Sequence, residues 1–135
     1  MILTYPETGA AFWRGEINLV GDEVNAALLL NHQPNKIHQF WQDVEADEAI
    51  GAGYEPGGKQ LEGPRVFVSG NKIVFDAEDP EWDPATIEAD ALVCWHPMTK
   101  RLIIYMSFSE PQKSSNDRFR AKFHATGIMK QVTSG

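Results

Sequence analysis

Residues 118–124 read RFRAKFH. With the period of two that an extended chain imposes, Phe119, Ala121 and Phe123 fall on one face and Arg118, Arg120, Lys122 and His124 on the other. That is the pattern of a half-buried β-strand, and the flanking sequence repeats it. RLIIYMSFS (101–109) sets Leu102, Ile104, Met106 and Phe108 against Ile103, Tyr105 and Ser107. Both sets are rather apolar, so this strand is expected to be central or covered on both faces. Between the two lies EPQKSSND (110–117), whose Pro, Ser, Asn and Asp read as a projecting loop and a candidate contact element.

Working outward, RVFVSGNKIVF (65–75) holds two β-prone runs around Gly70-Asn71, and glycine at the first central position suits a primed hairpin turn. TIEADALVCW (86–95) is a further strand, with Ile87, Ala89, Ala91, Val93 and Trp95 expected on one side and His96-Pro97 ending it. VNAALLLN (24–31) is too short to define its own period, and its β-rich surroundings favour a strand. KIHQFWQDVEADEA (36–49) has few β-branched residues and several helix formers, so a helical turn is expected there, limited by Gly51 and Gly53. Short strands divided by turns point to an antiparallel sandwich or small barrel. The expected fold is an all-β antiparallel β-sandwich, immunoglobulin-like or related, with a short helical turn. At 135 residues the chain fits one domain, residues 21–135, preceded by residues 1–20 as an extended N-terminal arm or edge segment carrying Tyr5, Phe12 and Trp13.

Charge is uneven. Residues 41–90 hold 13 acidic and 3 basic residues, whereas 98–135 hold 2 and 7, so an acidic middle precedes a basic C-terminal third. This distribution can steer a partner of mixed charge, while the net charge of −7 argues against nucleic acid as the main ligand. No apolar run reaches the roughly 18–20 residues of a membrane span, and MILTYPETG lacks the basic and apolar regions of a signal peptide, so no membrane association is expected. The single cysteine, Cys94, excludes an intramolecular disulfide and sits in ALVCW, where a packed thiol is favoured over a nucleophile.

Five carboxylates, Asp76, Glu78, Asp79, Glu81 and Asp83, crowd DAEDPEWD (76–83). The alternation of Asp79, Glu81 and Asp83 occurs in some calcium loops, yet Pro80 and Pro84 interrupt it and the central glycine and terminal bidentate acid are missing. A surface loop anchored by Trp82 is expected instead. GAGYEPGG (51–58) lacks the lysine and hydroxyl of a phosphate loop and reads as a tight turn structure around Tyr54. His32, His38, His96 and His124 fall in no nucleophile-elbow, zincin or deaminase motif. His32 and His38 flank Pro34, but a zinc reading needs a spatial convergence that spacing alone does not supply. Arg118, Arg120 and Lys122 are either the solvated side of a strand or a contact for an acidic partner. No catalytic residue, metal or cofactor is expected. The competing enzymatic reading is a hydrolase using Asp79 or Asp83.

Four segments in order, NAALLLNHQPNKIHQFWQDV, GAGYEPGGKQL, NKIVFDAEDPEWDPATIEADALVCW and RLIIYMSFSEPQKSSNDRFRAKFHATGIMKQV, together resemble a family of small tailed-bacteriophage virion proteins of β-sandwich character. His38, Phe40, Trp41, Gly51, Gly53, Tyr54, Gly57, Gly58, Phe75, Asp76, Ala77, Asp79, Trp82, Gly127 and Ile128 carry the likeness, which spans residues 24–132. The aromatic N-terminal extension and HPMTKR (96–101) depart from the pattern. The resemblance implies a structural role and no catalytic residues, with members divided among head decoration, minor head and tail-associated components. The expectation drawn from it is a capsid decoration (cement) protein, made in the host cytoplasm and carried on the capsid exterior. It would bind the major capsid protein and sister copies through Tyr5, Phe12, Trp13, Arg118, Arg120 and Lys122. The alternative is a tail, baseplate or fibre component acting as an adaptor or host-contact module.

Overall fold

The computed structural model describes residues 1–132. In chain order the elements are β1 (Ile2–Thr4), α1 (Pro6–Trp13), β2 (Asn25–Leu29), β3 (Lys59–Gln60), β4 (Arg65–Ser69), β5 (Lys72–Asp76), β6 (Glu81–His96), β7 (Arg101–Arg120) and β8 (Met129–Val132). Two short 3-10 turns, Trp41–Asp43 and Glu45–Asp47, occupy the segment where a helical turn was expected. One sheet has the order β1-β7-β6-β2-β3 and the other β4-β5-β8, and every pairing is antiparallel. The sheets pack into an all-β sandwich, as expected.

The long ribbon of β6 and β7 organises the molecule, and its irregularities decide which face each residue meets. Ala89 pairs with Gln112 and Ala91 with Ser107, so residues 108–111 of β7 face only Asp90 of β6. Across this irregularity the odd-numbered residues of β6 change from one face to the other. Ile87 and Ala89 enter the core between the sheets, with Phe75 and Ile128 from the smaller sheet's side. Ala91, Val93 and Trp95 enter a second core on the opposite face. The expected one-sided row from Ile87 to Trp95 is therefore corrected to two half-rows. A second shift, with Cys94 opposite Ile104 and Trp95 opposite Leu102, leaves Ile103 as the extra residue. Ile103 and Ile104 then both face the inter-sheet core, and Leu102 joins Tyr105 on the other side, not Ile104 as simple alternation predicts.

EPQKSSND is likewise not a loop. Residues 110–117 continue β7, with Ser114 Oγ donating to the Ala85 carbonyl at 2.7 Å and the Asn116 N–H donating to Thr86 Oγ1 at 2.8 Å. Pro111 is tolerated because it lies in the inserted stretch, where no ladder hydrogen bond is required. The Gly70-Asn71 hairpin forms as expected, with Ser69 opposite Lys72 and Gly70 at φ 62°. In RFRAKFH the inward set Phe119, Ala121 and Phe123 is buried and the outward set exposed, but the expected strand is corrected to end at Arg120, since residues 121–124 pair with no strand among the described residues.

The second core covers the back of the five-stranded sheet. Trp41 from the first 3-10 turn stacks on Trp95 with centroids 4.6 Å apart and an interplanar angle of 13°, and Val44 packs beside them. The expectation that RLIIYMSFS is covered on both faces holds for Leu102–Tyr105, while β7 from Ser109 onward is largely exposed. Residues 1–20 are not an extended arm. Of the two readings, the edge strand holds for β1, whose Ile2 pairs with Met106 and Thr4 with Ile104. Pro6 then opens α1, where its missing N–H costs nothing, and buried Thr8 donates its hydroxyl to the Leu102 carbonyl. Eight residues containing a glycine carry too little periodicity for α1 to be read from sequence.

Candidate partner-binding face

α1 and the loop after it form one wall of a groove of about 760 Å³, and the smaller sheet forms the other. Phe12, Ile17 and Val20 face Val66, Ile73 and Met129 across it. The hairpin register explains the second wall. Val66 lies opposite Phe75 and Val68 opposite Ile73, so these side chains share one face of the β4–β5 pair. Phe75 reaches the core, but the hairpin runs on past it, leaving all five residues of β4 exposed and Val68 72% so. β4 is also an edge of its sheet, with one row of backbone N–H and C=O groups facing outward. Trp13, the last residue of α1, does not line the groove and is 87% exposed. A contiguous apolar surface of this kind is a recurrent mark of a protein-interaction site.

The expected contact residues fare differently. Trp13 is exposed at the end of α1, and Phe12 is half-buried in the groove wall. Tyr5 is corrected from contact residue to core residue. It is 2% exposed, and burial, with Tyr105 nearby, pushes its phenol far above the usual range. Arg118 and Arg120 are exposed, but each is engaged within the chain, to Glu81 at 3.0 Å and Asp79 at 3.2 Å. Lys122 is exposed beyond the end of β7. The basic end of β7 and the acidic segment at the start of β6 therefore meet each other. Asp79 also accepts the Phe123 N–H at 2.9 Å, and Asp76 pairs with Arg65 at 2.8 Å. An acid-lined cleft of about 510 Å³ lies beside them, but among the described residues no group of three His, Cys, Asp or Glu is placed to hold a metal ion.

Tyr54 is buried in its loop, whereas Trp82 is corrected from loop anchor to strand residue, lying in β6 opposite Phe119; the two buried rings are 5.6 Å apart. Glycine is demanded in GAGYEPGG by close backbone approach. A Cβ on Gly51 would lie 2.1 Å from the Thr86 carbonyl oxygen, and one on Gly58, at φ +81°, would lie 1.8 Å from that of Ala26. So seated, the loop places Tyr54 to accept the Leu28 N–H at 2.9 Å and donate to Glu48 Oε2 at 2.6 Å, while the Gly57 N–H reaches the same carboxylate at 2.7 Å.

Sequence reasoning missed Val20, Val66, Val68 and Ile73. The available signal was RVFVS itself, a strand with Val66, Phe67 and Val68 in succession and so no fully polar face. No helix among the described residues is long and apolar enough to cross a membrane. No family model, curated protein or solved structure matches the chain.

Proposed function

We propose that the chain is a structural protein of a tailed-phage virion, and in finer detail a cement protein that docks on the outside of the shell through its apolar face. The observation that carries this reading is the exposed apolar side chains of Val20, Val66, Val68 and Ile73 along the groove and its hairpin wall, with Trp13 exposed at the end of the helix that forms the facing wall. The ordered motif resemblance supplies the virion context. Trp13 presents on the order of 200 Å². At about 25 cal/mol per Å² its burial contributes roughly 5 kcal/mol. Association costs about 4–15 kcal/mol, so the hairpin side chains must supply the remainder. Repetition over many equivalent sites on a shell adds up the modest stabilisation that each copy supplies.

The test is co-sedimentation with purified shells, together with antibody labelling of intact particles. Wild-type chain is expected to saturate shells, and Trp13→Ser or Val68→Lys to lower occupancy at least about tenfold without altering the circular dichroism spectrum. Label confined to tails supports the tail-component alternative and rejects the cement reading. Unchanged occupancy by both variants rejects the apolar face as the docking surface.

A further inference from the structure

The loop between β2 and the 3-10 turns brings together two imidazoles that sequence spacing left apart. Asn31 in the left-handed region (φ 59°) starts the turn, and the His38 N–H donates to the Asn35 carbonyl at 3.0 Å to close it. His32 and His38 then lie with ring centroids 5.7 Å apart and ring planes 42° apart, while the ring of Tyr105 sits 5.9 Å from His32. The His32 side chain is only 2% exposed, and its Nδ1 lies 2.8 Å from Asp47 Oδ2. An ionised carboxylate only accepts, so the proton of neutral His32 resides on Nδ1 and the Nε2 lone pair is free to bind. His32 Nε2 is buried with no hydrogen-bonding partner among the described residues, and so is His38 Nδ1. His96 is different: its ring nitrogens meet Asp22 at 2.9 Å and Thr99 at 2.7 Å, leaving nothing to bind.

We propose that His32 and His38 are the two protein ligands of a site for a late first-row divalent ion of the Zn²⁺ and Cu²⁺ class. Three observations support it. A metal-ligating histidine characteristically donates its other ring N–H to a carboxylate, the arrangement Asp47 makes with His32. The ring separation also fits. With metal–nitrogen bonds of about 2.0–2.1 Å and about 1.1 Å from nitrogen to ring centre, two imidazoles on one ion lie roughly 5.2–5.6 Å apart, close to the separation seen here. Two unpaired buried nitrogens would otherwise be costly, and one ion satisfies both. Among the described residues no His, Cys, Asp or Glu completes a set of three, so water fills the remaining positions. The ion would cross-link the two ends of the 32–38 loop, which rests on the second 3-10 turn through Asp47. This inference is independent of the virion reading.

Copper is the most discriminating probe, because Cu²⁺ binds nitrogen ligands most tightly in its series. Titration of the full chain with Cu²⁺ is expected to load one high-affinity site whose electron paramagnetic resonance spectrum shows coupling to two imidazole nitrogens. His32→Gln and His38→Gln should each weaken binding at least about tenfold, Asp47→Asn about tenfold with both nitrogen couplings retained, and His124→Gln not at all. Unaltered binding in His38→Gln overturns the proposal. Should the variants fail to fold, the wild-type chain still decides it. Added Zn²⁺ must shift the ¹⁵N resonances of His32 Nε2 and His38 Nδ1 and leave those of His96 unmoved, and no shift at these two nitrogens rejects the site.

Discussion

Replacing Tyr54 by Phe removes one oxygen and two hydrogen bonds. Tyr54 Oη accepts the buried Leu28 N–H at 2.9 Å and donates to Glu48 Oε2 at 2.6 Å. Leu28 is in the middle of β2, fully buried, so its N–H cannot turn to water. An unpaired buried donor costs about 1–3 kcal/mol, and a hydrogen bond to a charged group contributes about 1.5–3 kcal/mol. After crediting the hydroxyl that no longer needs desolvation, the expected loss is roughly 2–4 kcal/mol. At about 2.1 cal/mol/K per residue, that lowers Tm by roughly 7–14 °C. Urea unfolding of both proteins at pH 7 measures it. The charged share should fade at low pH, where Glu48 is protonated, so the loss at pH 4 should be smaller than at pH 7. In a double-mutant cycle with Glu48→Gln, a coupling of about 1–2 kcal/mol is expected. A loss below about 0.5 kcal/mol, equal at both pH values, would refute the view that GAGYEPGG exists to place this hydroxyl.

Three further outcomes follow from the same geometry. Gly58→Ala should cost at least about 3 kcal/mol or prevent folding, because its Cβ would overlap the Ala26 carbonyl at 1.8 Å, and urea unfolding within about 1 kcal/mol of wild type contradicts this. Burial raises the Glu48 carboxyl above its ordinary value, so the folded chain holds that proton longer than the unfolded one and stability falls as pH rises through this window. Glu48→Gln should remove that slope from a pH series of unfolding free energies. Asp43 has the opposite sign: the Phe40 and Gln39 N–H groups lower its carboxyl, giving stability that is present above the ordinary carboxyl range and lost as pH falls below it. Asp43→Asn should therefore flatten the acid limb of the same series, and an unchanged limb rejects the assignment.

Much of the β architecture is legible in the linear sequence. The Gly70-Asn71 hairpin and the helical turn around Trp41 each carry a local signal and each appears where that signal places it, whereas the strand read in RFRAKFH stops at Arg120 and only its alternating burial runs on to Phe123. Local signals fail where one residue is inserted in a ladder. Nothing within LIIY marks Ile103 as the extra residue, and nothing in EPQKSSND says that its polar residues will pair with β6, because pairing energy belongs to two strands at once. The candidate interface was half visible. Trp13 stands out in the sequence, but the same aromatic logic selects Tyr5, and only the packing of β1 on β7 turns Tyr5 inward.

By itself, the sequence determined that this chain folds as an antiparallel sandwich with glycine-dependent loops, since strand period, turn residues and the requirement for glycine act over a few neighbouring positions. Tertiary structure alone decided which face of β6 and β7 each side chain meets, that Glu81 and Asp79 pair with Arg118 and Arg120, and that the rings of His32 and His38 come within 5.7 Å of each other. Those outcomes depend on register and on approach between distant segments, and a slip of one residue reverses them.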